Sequence, residues 1–88
     1  MDVLYGKQVK KRVEKNKLPR DIWYNFRDAF NSLASTHNFR LFDIKKLVKK
    51  GPYVYFRLRL GKYRALFHIE KETIFVEDIA HRSEVYRK

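Results

Sequence analysis

The sequence predicts an α+β domain in which helices pack on one face of a mostly antiparallel sheet. Two observations carry this prediction. Apolar residues recur at helical spacing in the first half of the chain, and they alternate with polar residues in the second half. A chain of 88 residues has room for one modest core, so residues 1–88 are expected to form a single domain.

The first half is predicted to hold one short strand and two helices. The strand covers residues 2–6, and a strongly basic helix covers residues 7–16. Pro19 suits the first turn of a second helix, which extends over residues 19–35. One face of that second helix is apolar and should contribute to the core: Ile22, Phe26, Ala29, Phe30 and Leu33.

The second half is predicted to form a meander of strands. These strands cover residues 42–48, 53–60, 63–69 and 74–80, and a polar, basic tail follows. Gly61 and Lys62 supply a two-residue hairpin turn. In the strand before that turn, the residues of one face are apolar: Val54, Phe56, Leu58 and Leu60. The other face carries tyrosines and arginines: Tyr53, Tyr55, Arg57 and Arg59.

The charge of the chain indicates an anionic partner. Lysine and arginine number 21 against 10 acidic residues, which gives a net charge of +11. Nucleic acid is the usual partner of so basic a small domain, although an acidic protein or an anionic membrane surface would be attracted by the same positive potential.

The composition also excludes several classes of protein. The chain has no cysteine, which excludes disulfides, thiol catalysis and cysteine-ligated zinc fingers and fits a reducing compartment. No apolar run is long enough to span a membrane, and the first residues lack the features of a signal peptide. A cytoplasmic protein is therefore expected.

Three arginines are predicted to meet on the polar face of the sheet. Arg57 and Arg59 lie two residues apart on one strand, and Arg64 returns on the next strand across the tight turn. A guanidinium group offers a planar fork of donors that fits a phosphate, and three such groups repel one another unless an anion lies between them. Tyr53 and Tyr55 continue this face, and rings beside arginines suit single-stranded RNA. The alternative is a solvated strand face without a role.

The three histidines do not share a recognisable site. His37 lies in a predicted loop and is expected to be incidental. His68 shares the face of Arg64, as a titrating neighbour or an ordinary surface residue, and His81 lies where the last strand ends. Their spacing matches no zinc-binding pattern, and no glycine-rich phosphate loop is present, so no cofactor is expected.

Two sequence runs resemble the RelE/ParE superfamily of toxin–antitoxin toxins. They are VYFRLRLGKYR at residues 54–64 and HRSEVY at residues 81–86, and the RelE branch is the more similar. The resemblance covers essentially the whole chain and implies a RelE-like fold with a strongly curved sheet. It also implies an endoribonuclease that cuts messenger RNA, typically in the decoding site of the ribosome, and that a RelB-like antitoxin neutralises. No metal is indicated, because no carboxylate cluster accompanies the arginines.

The resemblance assigns the candidate catalytic positions. They are Arg57, Arg59, Arg64, Arg82 and Tyr86. Several relatives carry lysine at the first two of these positions, and arginine there preserves phosphate binding but is essentially never deprotonated.

The general base is therefore left open. His81 is the nearby residue type that ordinarily titrates near neutral pH, so it is a candidate acid or base, and a structural role is equally open.

Three other functions remain open on the sequence alone. The ParE branch shares the fold and inhibits DNA gyrase instead of cutting RNA. A non-catalytic RNA-binding or ribosome-binding domain, or a degenerate toxin that serves only as a partner protein, would fit the same charge.

Overall fold

The computed structural model describes residues 1–84 and contains two helices and five strands. In chain order they are β1 (Asp2–Tyr5), α1 (Lys7–Glu14), α2 (Arg20–Thr36), β2 (Asp43–Lys50), β3 (Tyr53–Leu60), β4 (Tyr63–Glu70) and β5 (Thr73–His81). A 3₁₀ turn at Phe39–Leu41 leads from α2 into β2. Every predicted helix and strand is present, and the boundaries differ by one or two residues.

The five strands form one sheet in the order β1-β5-β4-β3-β2. The contacts from β2 through β5 are antiparallel, and β1 alone pairs in parallel, with Val3 opposite Ile74 on β5. The predicted α+β architecture with a mostly antiparallel sheet is therefore confirmed.

Helix α2 begins one residue later than predicted. Pro19 adopts an extended conformation with ψ of 142°, and its carbonyl accepts the Trp23 N–H at 2.9 Å. Pro19 is thus the N-cap and not a member of the first turn, because its extended ψ cannot belong to a helix. His37 ends the helix in the left-handed conformation, with φ of 57°. Within residues 1–84, no helix is long and apolar enough to cross a membrane.

The core lies between α2 and one face of the sheet. Phe26, Phe30 and Leu33 of α2 are fully buried. The Phe30 ring meets the Phe67 ring of β4 edge-on, with centroids 5.2 Å apart. The sheet contributes its alternate, buried residues to the same cluster: Leu58, Ala65, Phe67, Ile74, Val76 and Ile79. Because the helices cover this face, the residues between these on each strand point to the other side.

Helix α1 runs beside β5 from the point where β1 ends. The Gly6 N–H donates to the Val76 carbonyl at 2.9 Å, and a Cβ at Gly6 would lie 3.4 Å from that oxygen. Arg12 then pairs in two-point fashion with Asp78, with Nε–Oδ1 at 2.8 Å and Nη2–Oδ2 at 3.2 Å. The hydrogen bond that Arg12 donates to Asp78 raises the pKa of Arg12. This pair ties the basic helix to the last strand.

Tyr5 joins β1 to α2 through its ring. The ring packs edge-on against Trp23, with centroids 4.7 Å apart, and against Phe30 at 6.3 Å. Its hydroxyl is buried without a hydrogen-bond partner among residues 1–84. This burial raises the pKa of Tyr5 to about 12, because the phenolate form loses its solvation.

Candidate nucleic-acid interface

The face of the sheet opposite the core carries the predicted arginines. We call this surface the open face and define it by the residues that alternate with the core residues on β3, β4 and β5. They are Tyr53, Tyr55, Arg57 and Arg59 on β3, Arg64, Leu66, His68 and Glu70 on β4, and Thr73, Phe75, Asp78 and Ala80 on β5. None of them belongs to the core cluster. The open face is therefore a surface on which a ligand can meet side chains from three adjacent strands.

The three strand arginines lie together, as the sequence predicts. Arg59 on β3 is the direct cross-strand partner of Arg64 on β4, which places their Cβ atoms about 5 Å apart. Arg57 follows two residues away on β3, about 7 Å along the strand. Its side chain is only 12% exposed, whereas that of Arg59 is 50% exposed. The three arginine side chains thus start from neighbouring positions on one face of the sheet, within the reach of one or two phosphates.

Asp43 is part of this cluster, and the sequence did not reveal it. One carboxylate oxygen lies 3.3 Å from Arg57 Nη2, and the other lies 2.7 Å from Arg59 Nη2. Asp43 reaches both because it is the cross-strand partner of Arg59 on the edge strand β2. The expectation that the arginines need an external anion to lie together is therefore wrong for two of them, since Asp43 supplies a negative charge within the protein.

Arg82 lies next to the turn that precedes Arg64. Its backbone N–H donates to the Lys62 carbonyl at 2.8 Å, which extends the pairing of β4 and β5 by one hydrogen bond. The side chain is exposed. Tyr86 lies outside the described residues, so its role remains a prediction.

His81 occupies a different side of the sheet from Arg64. It is the cross-strand partner of Tyr63, and the two rings meet edge-on with centroids 5.5 Å apart. Tyr63 packs against the core and precedes Arg64 on the strand, so the two point to opposite faces. Nδ1 of His81 lies 3.0 Å from Ser83 Oγ and accepts the Ser83 N–H at 3.3 Å. Its role as acid or base remains a prediction.

His68 is buried in the open face. Its ring stacks on that of Phe75, with centroids 5.1 Å apart and planes 13° apart, and lies 4.6 Å from the ring of Tyr53. Nδ1 lies 3.1 Å from a Glu77 carboxylate oxygen, within ion-pair distance but without hydrogen-bond geometry. The interpretation of His68 as an ordinary surface residue is therefore wrong. Tertiary packing removes it from solvent although it lies on the polar face.

Comparison with known proteins shows what this chain is similar to. No protein-family model matches the sequence. Among curated proteins, "Toxin RelE3" of Methanocaldococcus jannaschii is 39% identical over 44 residues. That alignment covers 50% of this chain and 48% of the relative, so the similarity spans about half the length of each.

Two solved structures match almost the whole chain. One is from the archaeal RelE–RelB complex of Pyrococcus horikoshii OT3, with a TM-score of 0.74, 26% identity, and coverage of 96% of this chain and 97% of that one. The chain is similar to RelE toxins over nearly its whole length. A second match, from the RelB–RelE antitoxin–toxin complex of Methanococcus jannaschii, has the same fold, with a TM-score of 0.73, 24% identity and coverage of 94% of both chains. The resemblance to RelE-like toxins predicted from the sequence is confirmed.

The open face gives this RelE-like protein a surface suited to anions. The cations of the described residues lie on β2, β3, β4 and after β5, with Lys45 of β2 directly across from Arg57. Asp43 is the carboxylate that pairs with Arg57 and Arg59. Sequence alternation located the arginines and the two tyrosines. It missed Phe75 because Ile74, Phe75 and Val76 are all apolar, so no polar residue marks the open face in this part of β5.

Proposed function

We propose that this RelE-like protein is the toxin of a type II toxin–antitoxin system and acts as a metal-independent endoribonuclease that cleaves messenger RNA on the ribosome and stops translation. The observation that carries the proposal is the cluster of Arg57, Arg59 and Arg64 on the open face. The names of the similar proteins support it, since one is a RelE toxin and two are from antitoxin–toxin complexes.

The proposed reaction is an internal transfer within the RNA. The 2′-hydroxyl oxygen attacks the adjacent phosphorus atom, the bond from phosphorus to the 5′-oxygen breaks, and a cyclic phosphate and a 5′-hydroxyl form. Negative charge grows on the phosphoryl oxygens during this step, and fixed guanidinium donors stabilise it. Arg64 and Arg82 would clamp the scissile phosphate. Arg57 and Arg59 would hold the neighbouring phosphates and spread the developing charge.

Two residues are proposed for the remaining tasks. Tyr86 would stack on a base or orient the 2′-hydroxyl. His81 is the candidate that accepts or donates a proton, and its ring would first have to leave its contact with Tyr63. The arginines cannot remove the proton, because arginine stays charged at any physiological pH.

The proposed protein partner is a RelB-like antitoxin. The two matching structures are from RelB–RelE complexes, and a net charge of +11 favours a partner with acidic residues. We expect a tight heterocomplex in which RNA cleavage is lost. Full cleavage at saturating antitoxin would contradict this part of the proposal.

Cleavage of a reporter message in a translation extract tests the function. Primer extension should show new cuts with the wild type, and Arg64→Ala should lower the cleavage rate by about 10²-fold or more, the usual loss when one transition-state donor is removed. The matched control is Arg27→Ala, which removes an exposed arginine of α2 and should cleave like the wild type. Circular dichroism checks that each variant is folded.

The other results are equally informative. Undiminished cleavage by folded Arg64→Ala would overturn the arginine site. Growth arrest on expression without RNA cuts would instead indicate inhibition of DNA gyrase, and absence of both effects would indicate a non-catalytic protein.

A further inference from the structure

The open face continues beyond the arginines into a row of rings. Tyr55, His68 and Phe75 are successive cross-strand partners on β3, β4 and β5, and Leu4 on β1 extends the same line. Tyr53 stands beside them, two residues from Tyr55. We call Tyr53, Tyr55, His68 and Phe75 the aromatic row. It crosses the sheet parallel to the Arg59–Arg64 pair, and the Arg57–Leu66 pair lies between the two.

The rings of this row hold one another in place. The His68 ring lies between those of Phe75 and Tyr53, with centroid distances of 5.1 and 4.6 Å, and the Tyr55 ring meets it edge-on at 5.2 Å. His68 is buried beneath its neighbours, while Tyr53, Tyr55 and Phe75 remain partly exposed. At the β1 end of the line Leu4 is 54% exposed. The row therefore presents a preordered, partly apolar surface to solvent.

The charges around the row differ from those around the arginines. Glu70 accepts a hydrogen bond from the Tyr53 hydroxyl at 3.1 Å, and Glu77 lies 3.1 Å from His68 Nδ1. Carboxylates repel a phosphate, but they accept hydrogen bonds from the N–H groups of a nucleobase. Arg57 follows Tyr55 by two residues, about 7 Å along the strand. The arginine part of the open face is thus suited to phosphate. The neighbouring part, with its carboxylates, disfavours phosphate and offers ring surfaces.

We propose that the aromatic row is a base-binding subsite for single-stranded RNA, an inference that rests on the proposed function and specifies how the same face holds its substrate. One or two bases pack on the exposed parts of Tyr55, Tyr53 and Phe75 while their phosphates lie at the arginines. Any base can stack on these rings, so the subsite adds affinity for RNA without strict sequence specificity. The adjoining arginines favour RNA over a protein segment as the occupant, because the RNA backbone carries one negative charge per nucleotide.

Binding of uncleavable oligonucleotides tests the subsite apart from catalysis. The probe is a single-stranded 2′-O-methyl hexanucleotide, which lacks the attacking hydroxyl, and the comparison probe has the same backbone without bases. The wild type should bind the base-bearing probe more tightly. Tyr55→Leu should weaken that binding by about 5- to 150-fold and leave the abasic probe unaffected. Tyr55→Phe should restore it, because the ring returns.

A matched control distinguishes the loss of a ring in the aromatic row from the loss of any exposed tyrosine. Tyr24→Leu removes an exposed tyrosine of α2 and should bind both probes like the wild type. Equal affinity of the wild type for the two probes would overturn the proposal, and so would a preference for bases that survives in folded Tyr55→Leu. The first of these results is also expected if a protein segment, and not RNA, occupies the row. Base preference without cleavage in extract would refute the nuclease function alone, and cleavage without base preference would refute the subsite alone.

Discussion

Asp43 determines the charge that an incoming phosphate meets at Arg57 and Arg59. Its two carboxylate oxygens take the positions of an anion on both guanidinium groups, at 3.3 and 2.7 Å. Asp43 orients the guanidinium groups of both arginines, and it would compete with the RNA proposed to bind there. On that proposal, a phosphate that binds either arginine displaces Asp43 from at least one of these contacts.

Removal of the Asp43 charge should tighten RNA binding. We expect Asp43→Asn to bind the 2′-O-methyl hexanucleotide about 2- to 5-fold more tightly at low salt, the scale of a partly exposed ion pair. Asp28→Asn is the matched control, since it removes the same charge from an exposed position of α2 where the pairing distance to Arg27 is 4.0 Å. Equal gains in titrations of both variants would show that only net charge matters.

At the scale of secondary structure elements, α1 depends on its ion pair with β5. The helix is short and basic, its side chains outside Val9 are mostly exposed, and short helices gain little stability by themselves. The Arg12–Asp78 pair is largely buried, at 15% and 17% exposure of the side chains. It therefore fixes the position of α1 along the edge of the sheet.

Loss of one partner of this pair should destabilise the fold. Arg12→Met leaves the Asp78 carboxylate without its two-point partner, and we expect the free energy of unfolding in urea to fall by about 2 kcal/mol. Lys11→Met, an exposed neighbour on α1, should change it by less than about 0.5 kcal/mol. An equal effect of the two substitutions would mean that the ion pair adds no stability beyond that of a surface charge.

At the scale of the whole molecule, the proposed RNA binding has two possible sources, the net charge of +11 and its local arrangement. Several lysines lie on α1 beside β5 and add to the general field, whereas Lys45 on β2 is the cross-strand partner of Arg57 and lies next to the arginine cluster. The arginines of β3 and β4 are fixed on adjacent strands. If RNA contacts a fixed cluster, the loss of those arginines removes a defined number of released counterions. If RNA responds only to the general field, the loss of any three positive charges has the same effect.

The salt dependence of RNA binding distinguishes these possibilities. Four phosphate contacts from the arginines and Arg82 predict a slope of log affinity against log salt of about −3 for single-stranded RNA. Replacement of Arg57, Arg59 and Arg64 by glutamine should reduce the slope to about −1. The charge-matched control replaces three exposed lysines of α1 by glutamine: Lys7, Lys10 and Lys11. If both triple variants changed the slope equally, the arginine cluster would not be the binding site.

Local sequence patterns specified the elements and the faces of this protein. Helical spacing in α2 and strict alternation in β3 predicted both elements to within one residue, because each pattern directly reflects the geometry of its backbone. The same alternation placed Arg57 and Arg59 on one face, and the short turn at Gly61 brought Arg64 opposite them. These features depend on residues close together in the chain.

Contacts between distant strands were decided by the tertiary structure alone. Asp43 joins the arginines because β2 pairs with β3, and His68 is buried by rings from both neighbouring strands. His81 faces Tyr63 instead of Arg64 for the same reason. The fold class, the positive charge and the arginine positions follow from the sequence. Which groups surround the arginines depends on the folded protein, because strand register sets which distant residues meet.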